Sequence, residues 1–303
     1  MPRFVRWIWR VLAIHLAIGL AAYLHFLVTG SYRYLTWYFL VFGTLFFLLT
    51  TAAEFFLSFE CRAGFEPDEP MRLAWTIIAL SSLARFVSAS LISLDHWRDV
   101  PVPGGTLSAL AVILPRGLGH VGEVIGGPLS MVLLTIALSR ILQIQRNFRI
   151  LSGLTRMDLL LIGLIGAILF GEIANFVRYL SPPYDHPPLT KWILWLSDPL
   201  LSLLLVQAIL IRRSVIKVGL GLISQCWEMY VIAIVTTLAG DTSIWATGKG
   251  LLSEPLIALS WYIWFFSAAA YACAPAYQLA AMTLPLHEVA IPKIDGQSFF
   301  ERE

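Results

Sequence analysis

Apolar positions run almost without interruption along this chain, broken at intervals by short polar punctuation. A membrane-crossing helix needs about 20 mostly apolar residues. By that measure the pattern predicts eight spans, at residues 7–29, 34–58, 72–94, 118–143, 157–180, 188–211, 217–239 and 246–274. The last has an extension toward residue 283, broken near Pro275. No set of ten-residue alternating segments is present, so a transmembrane β-barrel is not predicted. The expected fold is all-α: a polytopic bundle of about eight helices filling residues 1–283, followed by a short tail over 284–303. Residues 107–115 are apolar but too short to span, and read as a surface turn.

Composition agrees. Of 303 residues, 58% are apolar and 13% charged, and mean hydropathy is +0.77. A soluble domain carries about 25% charged residues. The lipid bilayer is therefore the expected partner, and a net charge of +2 gives no reason to expect nucleic acid. Arg3, Arg6 and Arg10 precede the first run, which is too long for a signal-peptide core and reads as a retained helix. Cys61, Cys226 and Cys273 are far apart, with Cys61 expected in a loop, so no disulfide framework is predicted.

Orientation follows from Lys and Arg in short loops. With the N-terminus inside, fourteen cations fall on the inner side and six on the outer, Arg85 being left within a span. Both termini are thus expected to be cytoplasmic, with the chain in the cell membrane, a bacterial inner membrane being the expectation. The loops assigned to the outer side, Val100–Gly105 and Ser181–Pro188, are rich in Pro and Gly and read as stiff turns. The acidic Glu66–Pro70 loop reads as solvated.

An internal repeat runs through the spans. Leu196-Ser197-Asp198-Pro199-Leu200 returns as Leu252-Ser253-Glu254-Pro255-Leu256, and more weakly as Ile125-Gly126-Gly127-Pro128-Leu129; Phe42-Gly43-Thr44-Leu45 falls where the phrase would lie in the second span. Odd-numbered spans share His25-Phe26-Leu27, Arg85-Phe86-Val87, Asn175-Phe176-Val177 and Met229-Tyr230-Val231. Four pseudo-repeated helical hairpins are the expected arrangement, an organisation known in transporters. Each proline deletes a backbone donor and predicts a kink, at Pro128, Pro199 and Pro255.

The phrases Ser253-Glu254-Pro255-Leu256-Ile257-Ala258-Leu259 and Ser197-Asp198-Pro199-Leu200-Leu201-Ser202-Leu203 resemble those of uncharacterised eight-helix bacterial integral membrane proteins. The resemblance covers the hairpin pattern and implies no activity. Mitochondrial carriers also repeat kinked hairpins, but place their acid after the proline; here it precedes, and that kinship is set aside.

Candidate chemistry lies in an intramembrane charged layer. At 1.5 Å per residue, Asp198, Arg85, Glu172 and Glu228 each lie about 15–18 Å from the outer end of their spans. Glu254 approaches that level, and Glu123 and Asn175 lie near it. Charges at such depth are costly and mark functional sites by default. Four acids facing one Arg cannot all stay ionised in a low-dielectric layer. Two readings stand open: binding or transport of a small cation, proton or cationic ligand by Asp198, Glu254, Glu172 and Glu228 with Arg85 as counter-ion; or a structural or accessory subunit of a membrane complex, with the charges serving helix packing. In either case Arg85 is expected to pair with one of Glu172, Asp198, Glu228 or Glu254. No catalytic residue is identified, since no P-loop, GxGxxG or Ser-His-Asp arrangement is present. No cofactor is expected: His15, His25 and His120 show no haem-pair spacing, there is no zinc-type His/Cys cluster, and the last span carries no lysine beyond Lys249 at its outer end. The many Trp near span ends read as an aromatic belt.

Overall fold

The structure is a computed structural model that describes residues 1–98, 117–151, 155–160, 162–164, 166–167, 196–219, 221–248 and 257–283. Glu172, Asn175, Glu254, Pro255, the Pro-rich loops, most of the fifth predicted span and the tail fall outside those residues, as does the side chain of Asp198.

Among the described residues every element is a helix. They are α1 (Arg3–Thr29), α2 (Arg33–Ala63), α3 (Pro70–Arg98), α4 (Leu118–Asn147), the short start of α5 (156–160), α6 (Ser197–Val218), α7 (Gly221–Gly248) and α8 (Ile257–Thr283). Six of them, α1 to α4, α6 and α7, are long and apolar enough to cross a membrane. These six mark a multi-pass membrane protein.

Residues buried on α1 recur at three- and four-residue spacing: Val5, Ile8, Leu12, His15, Gly19, Tyr23 and Phe26. That spacing produces one packed seam and leaves the other faces, such as Ile14, Leu20 and Leu27, open. α8 is the opposite case. It is buried almost continuously from Ala269 to Gln278 and packs against α1, α2 and α7. The alanines of its central stretch, at 268, 269, 270, 272, 274 and 276, let neighbouring backbones approach. In a bilayer, where lipid tails are as apolar as leucine, such close contact drives association. The packing closes a ring in the order α2, α3, α4, α6, α7, α8 and back to α2, with α1 seated on α8. Trp75, Trp227, Tyr230 and Phe265, all fully buried, belong to its core.

Two spans contain a π turn. In α2 it covers Tyr38–Gly43 and in α4 Ile125–Leu129, where Gly127 leaves helical geometry (φ −82°, ψ −105°) beside Pro128. Both release backbone carbonyls inside the apolar zone, and hydroxyls take them up. Thr44 Oγ1 donates to the Leu40 and Val41 carbonyls, Ser130 Oγ to those of Gly126 and Gly127, and Trp97 Nε1 also donates to Leu40 O at 2.7 Å.

Two expectations need correcting. Pro199 lies in the first turn of α6, not at an internal bend, because α6 begins at Ser197. A proline in a first turn costs little, since its N–H would have no helical partner. The 22 residues of α6 make about 33 Å, so Asp198 stands at one end of a full-length span. Second, Cys61 is not in a loop. α2 continues to Ala63, and Cys61 is wholly buried on it.

Candidate functional site

Arg85 sits on α3, fifteen residues past Pro70. At about 1.5 Å per residue this is roughly 22 Å along the helix. Its carboxylate partner is Glu54 on α2. The contact is two-pronged: Nε donates to Glu54 Oε2 at 3.1 Å and Nη2 donates to Oε1. The third prong, Nη1, reaches Ser81 Oγ one turn back at 3.3 Å. The guanidinium carbon lies 4.5 Å from the centre of the Tyr271 ring on α8. The pair is buried, with side chains 13% and 1% exposed for Arg85 and Glu54. Charge-assisted bidentate pairing and a ring face together meet the guanidinium's needs without water.

This corrects the expected partner, which was one of Glu172, Asp198, Glu228 or Glu254. The register of the α2–α3 hairpin decides it. Arg62 Nε bonds Thr76 Oγ1 at 3.1 Å near the turn, and the same register carries Glu54 to Arg85. A span ending at residue 58 puts Glu54 near a solvated end, where an acid needs no partner, whereas α2 runs on to Ala63 and buries it. A signal was available: Glu54 is the only charge between Arg33 and Glu60.

Glu228 is 43% exposed and pairs with Arg212 on α6 at 3.4 Å. Glu123 is 47% exposed and lies 3.3 Å from His120 Nδ1. Asp198 is in the first turn of α6. Of the sequence-predicted set, then, Arg85 alone is placed in the buried ion pair, joined by a residue outside the set; Glu123 and Glu228 have their own partners.

Around the pair lies a polar interior. Ser58 follows Glu54 by one turn on the buried stripe of α2, and Cys61 follows Ser58 by nearly another. Tyr230 on α7, fully buried, lies within electrostatic reach of Glu54, Arg85, Cys226 and Cys61. The Tyr230 hydroxyl, Ser58 Oγ and Trp75 Nε1 are buried without a hydrogen-bond partner among the described residues. Cys61 Sγ donates to the Pro275 carbonyl at 3.3 Å, tying α2 to α8 where proline interrupts the ladder. Thr237 and Ser267 hydroxyls meet at 2.7 Å between α7 and α8.

A second interior contact centres on His15, which bonds the Tyr38 hydroxyl through Nε2 at 2.9 Å. Its ring stacks on Phe46 at 4.5 Å and meets the edge of Phe265 at 4.4 Å. Tyr262 OH donates to the Gly19 carbonyl at 2.7 Å. Both contacts join α1 to its neighbours, and the imidazole is filled by aromatic packing on two sides. Among the described residues no group of three or more His, Cys, Asp or Glu is arranged to hold a metal.

Comparison with family models, curated proteins and solved structures finds no match to this chain.

Proposed function

We propose that this chain is a structural or accessory subunit of a membrane protein complex, its bundle locked by the Glu54–Arg85 clamp. The observation that carries this reading is that the Arg85 guanidinium, deep on α3, is already neutralised in a buried pair by Glu54, with Ser81 and Tyr271 beside it. A buried pair so arranged binds helices and offers no free charge to a cargo. Glu228 and Glu123 are likewise engaged by Arg212 and His120.

The second reading is binding or transport of a small cation, proton or cationic ligand through Asp198, Glu172 and Glu254. It is favoured by the buried Tyr230 hydroxyl within electrostatic reach of the ion pair, which has no hydrogen-bond partner among the described residues, since unpaired polar groups in a membrane interior suit a hydrated path. The four-hairpin repeat belongs to this proposal too. Its support is that α2 and α4 each contain a π turn, Ile125–Leu129 coinciding with the α4 phrase and Tyr38–Gly43 overlapping the α2 phrase at Phe42 and Gly43.

Proteoliposomes containing the purified chain, loaded with a pH-sensitive dye and assayed with Na⁺, K⁺ and small amines, separate the two. The subunit reading expects no protein-dependent flux and no thermal shift with these solutes. Saturable flux lost on Asp198→Asn overturns it. Both termini are proposed to be cytoplasmic: a cysteine at position 185 should react with an impermeant maleimide from outside, and one at 148 should not.

A further inference from the structure

The helix α4 ends in a way that its neighbour α6 does not. The Ile150 N–H bonds the Gln145 carbonyl at 3.0 Å, and the Arg149 N–H bonds that of Arg146, also at 3.0 Å. This is the Schellman pattern, which requires a left-handed residue where glycine is the usual choice. α6 makes the usual choice, Gly219 at φ +82°. α4 instead holds Arg149 there at φ +55°, the one positive-φ residue other than glycine among those described. A charged side chain is thus kept at a position where its backbone is strained, and such strain points to a role for the side chain.

The two helix ends lie together. Gln207 Nε2 on α6 donates to Ser139 Oγ on α4 at 2.8 Å. Six residues on, Arg213 Nη2 reaches Thr155 Oγ1 and Asp158 Oδ1, which follow α4 in the chain. α4 and α6 therefore run parallel and finish at the same end of the bundle. Two cations there are engaged, Arg213 by Asp158 and Arg212 by Glu228. Arg140, Arg146, Arg149, Arg156 and Lys217 are exposed and have no ion-pair partner among the described residues. Phe148 (72% exposed) and Met157 (70%) flank them with apolar surface.

The geometry points to a binding site for an anionic phospholipid headgroup at the joined ends of α4 and α6, with Arg149 and Lys217 as phosphate ligands. The phosphodiester supplies acceptor oxygens matching the guanidinium fork. The acyl chains lie against the exposed apolar residues beside it, which a free phosphate cannot use. Clusters of cations next to a membrane-spanning helix recognise anionic lipid in this way.

The test uses the full chain in neutral detergent, titrated with phosphatidylglycerol, phosphatidylcholine or inorganic phosphate, and read by thermal shift and native mass spectrometry. Phosphatidylglycerol should raise the melting temperature and be retained as discrete adducts, whereas the other two should do neither. Arg149→Gly removes backbone strain and should raise the lipid-free melting temperature by about 2 °C while losing at least half of the lipid-dependent shift. Arg149→Asn, which also tolerates the left-handed region, and Lys217→Gln should lose the lipid shift without lowering the lipid-free value. The proposal is overturned if Arg149→Gly keeps the full shift, if it lowers the lipid-free melting temperature, or if phosphatidylcholine or inorganic phosphate reproduces the effect on the unmodified protein.

Discussion

Arg85→Met should be among the most damaging single substitutions in this protein, because it strands Glu54. The carboxylate is 1% exposed and receives two guanidinium bonds, and no other cation among the described residues is paired with it. Removing one partner of a buried pair costs about 3–5 kcal/mol, most of it the penalty of the uncompensated charge. Tyr271 also loses a cation over its ring, a contact of about 2 kcal/mol when desolvated, so the upper part of that range is expected. Glu54→Gln strands the guanidinium in the same way. The double variant Glu54→Leu/Arg85→Met removes both charges and should recover most of the loss, leaving a coupling of about 2 kcal/mol or more in the cycle. Unfolding in mixed micelles with rising dodecyl sulfate measures each corner through tryptophan fluorescence, Trp75 and Trp227 being buried reporters. A coupling under about 0.5 kcal/mol would refute the clamp. So would rescue of Arg85→Met by Asp198→Asn, which would return the partnership to the acid that the apolar pattern first suggested.

Gly122→Ala should loosen the α3–α4 contact, since a Cβ there would lie 2.9 Å from Ile92 Cγ1 and 3.0 Å from the Ser88 carbonyl oxygen, and a backbone oxygen cannot swing aside. Overpacking of this kind costs about 1–3 kcal/mol, and unchanged unfolding in the same micelle titration would count against so close an approach. At the polar turn before the apolar run from Leu159, Thr155 and Asp158 form a capping box, with Arg213 at 2.9 Å from the carboxylate. Asp158→Asn weakens the cap and removes the charge that meets Arg213. It should lower stability in the same titration by about 1 kcal/mol; an unchanged midpoint would show that the carboxylate is not held.

How much of this was legible in advance depends on the range of the interaction. The uninterrupted runs of apolar residues sufficed for an all-helical, membrane-type chain, because in lipid a backbone must satisfy its own polar groups and a helix does so locally. Arg85 could be singled out for the same reason: a lone cation amid apolar residues must be paired, and its own neighbours show that none is nearby. Its partner could not be read. Glu54, Glu172, Asp198 and Glu228 are all single acids in apolar runs, and only the hairpin register, in which α2 continues to Ala63 and Arg62 meets Thr76, carries Glu54 to the guanidinium. Pro199 was ambiguous likewise, since the same residue kinks a helix from within or sits free in its first turn. Where α6 starts depends on packing, not on hydropathy. The closing of the ring by α8 and the side-by-side run of α4 and α6, tied by Gln207 and Arg213, rest on residues far apart in the chain. Local pattern determines which segments enter the membrane; which faces and which charges meet is decided only when the helices pack.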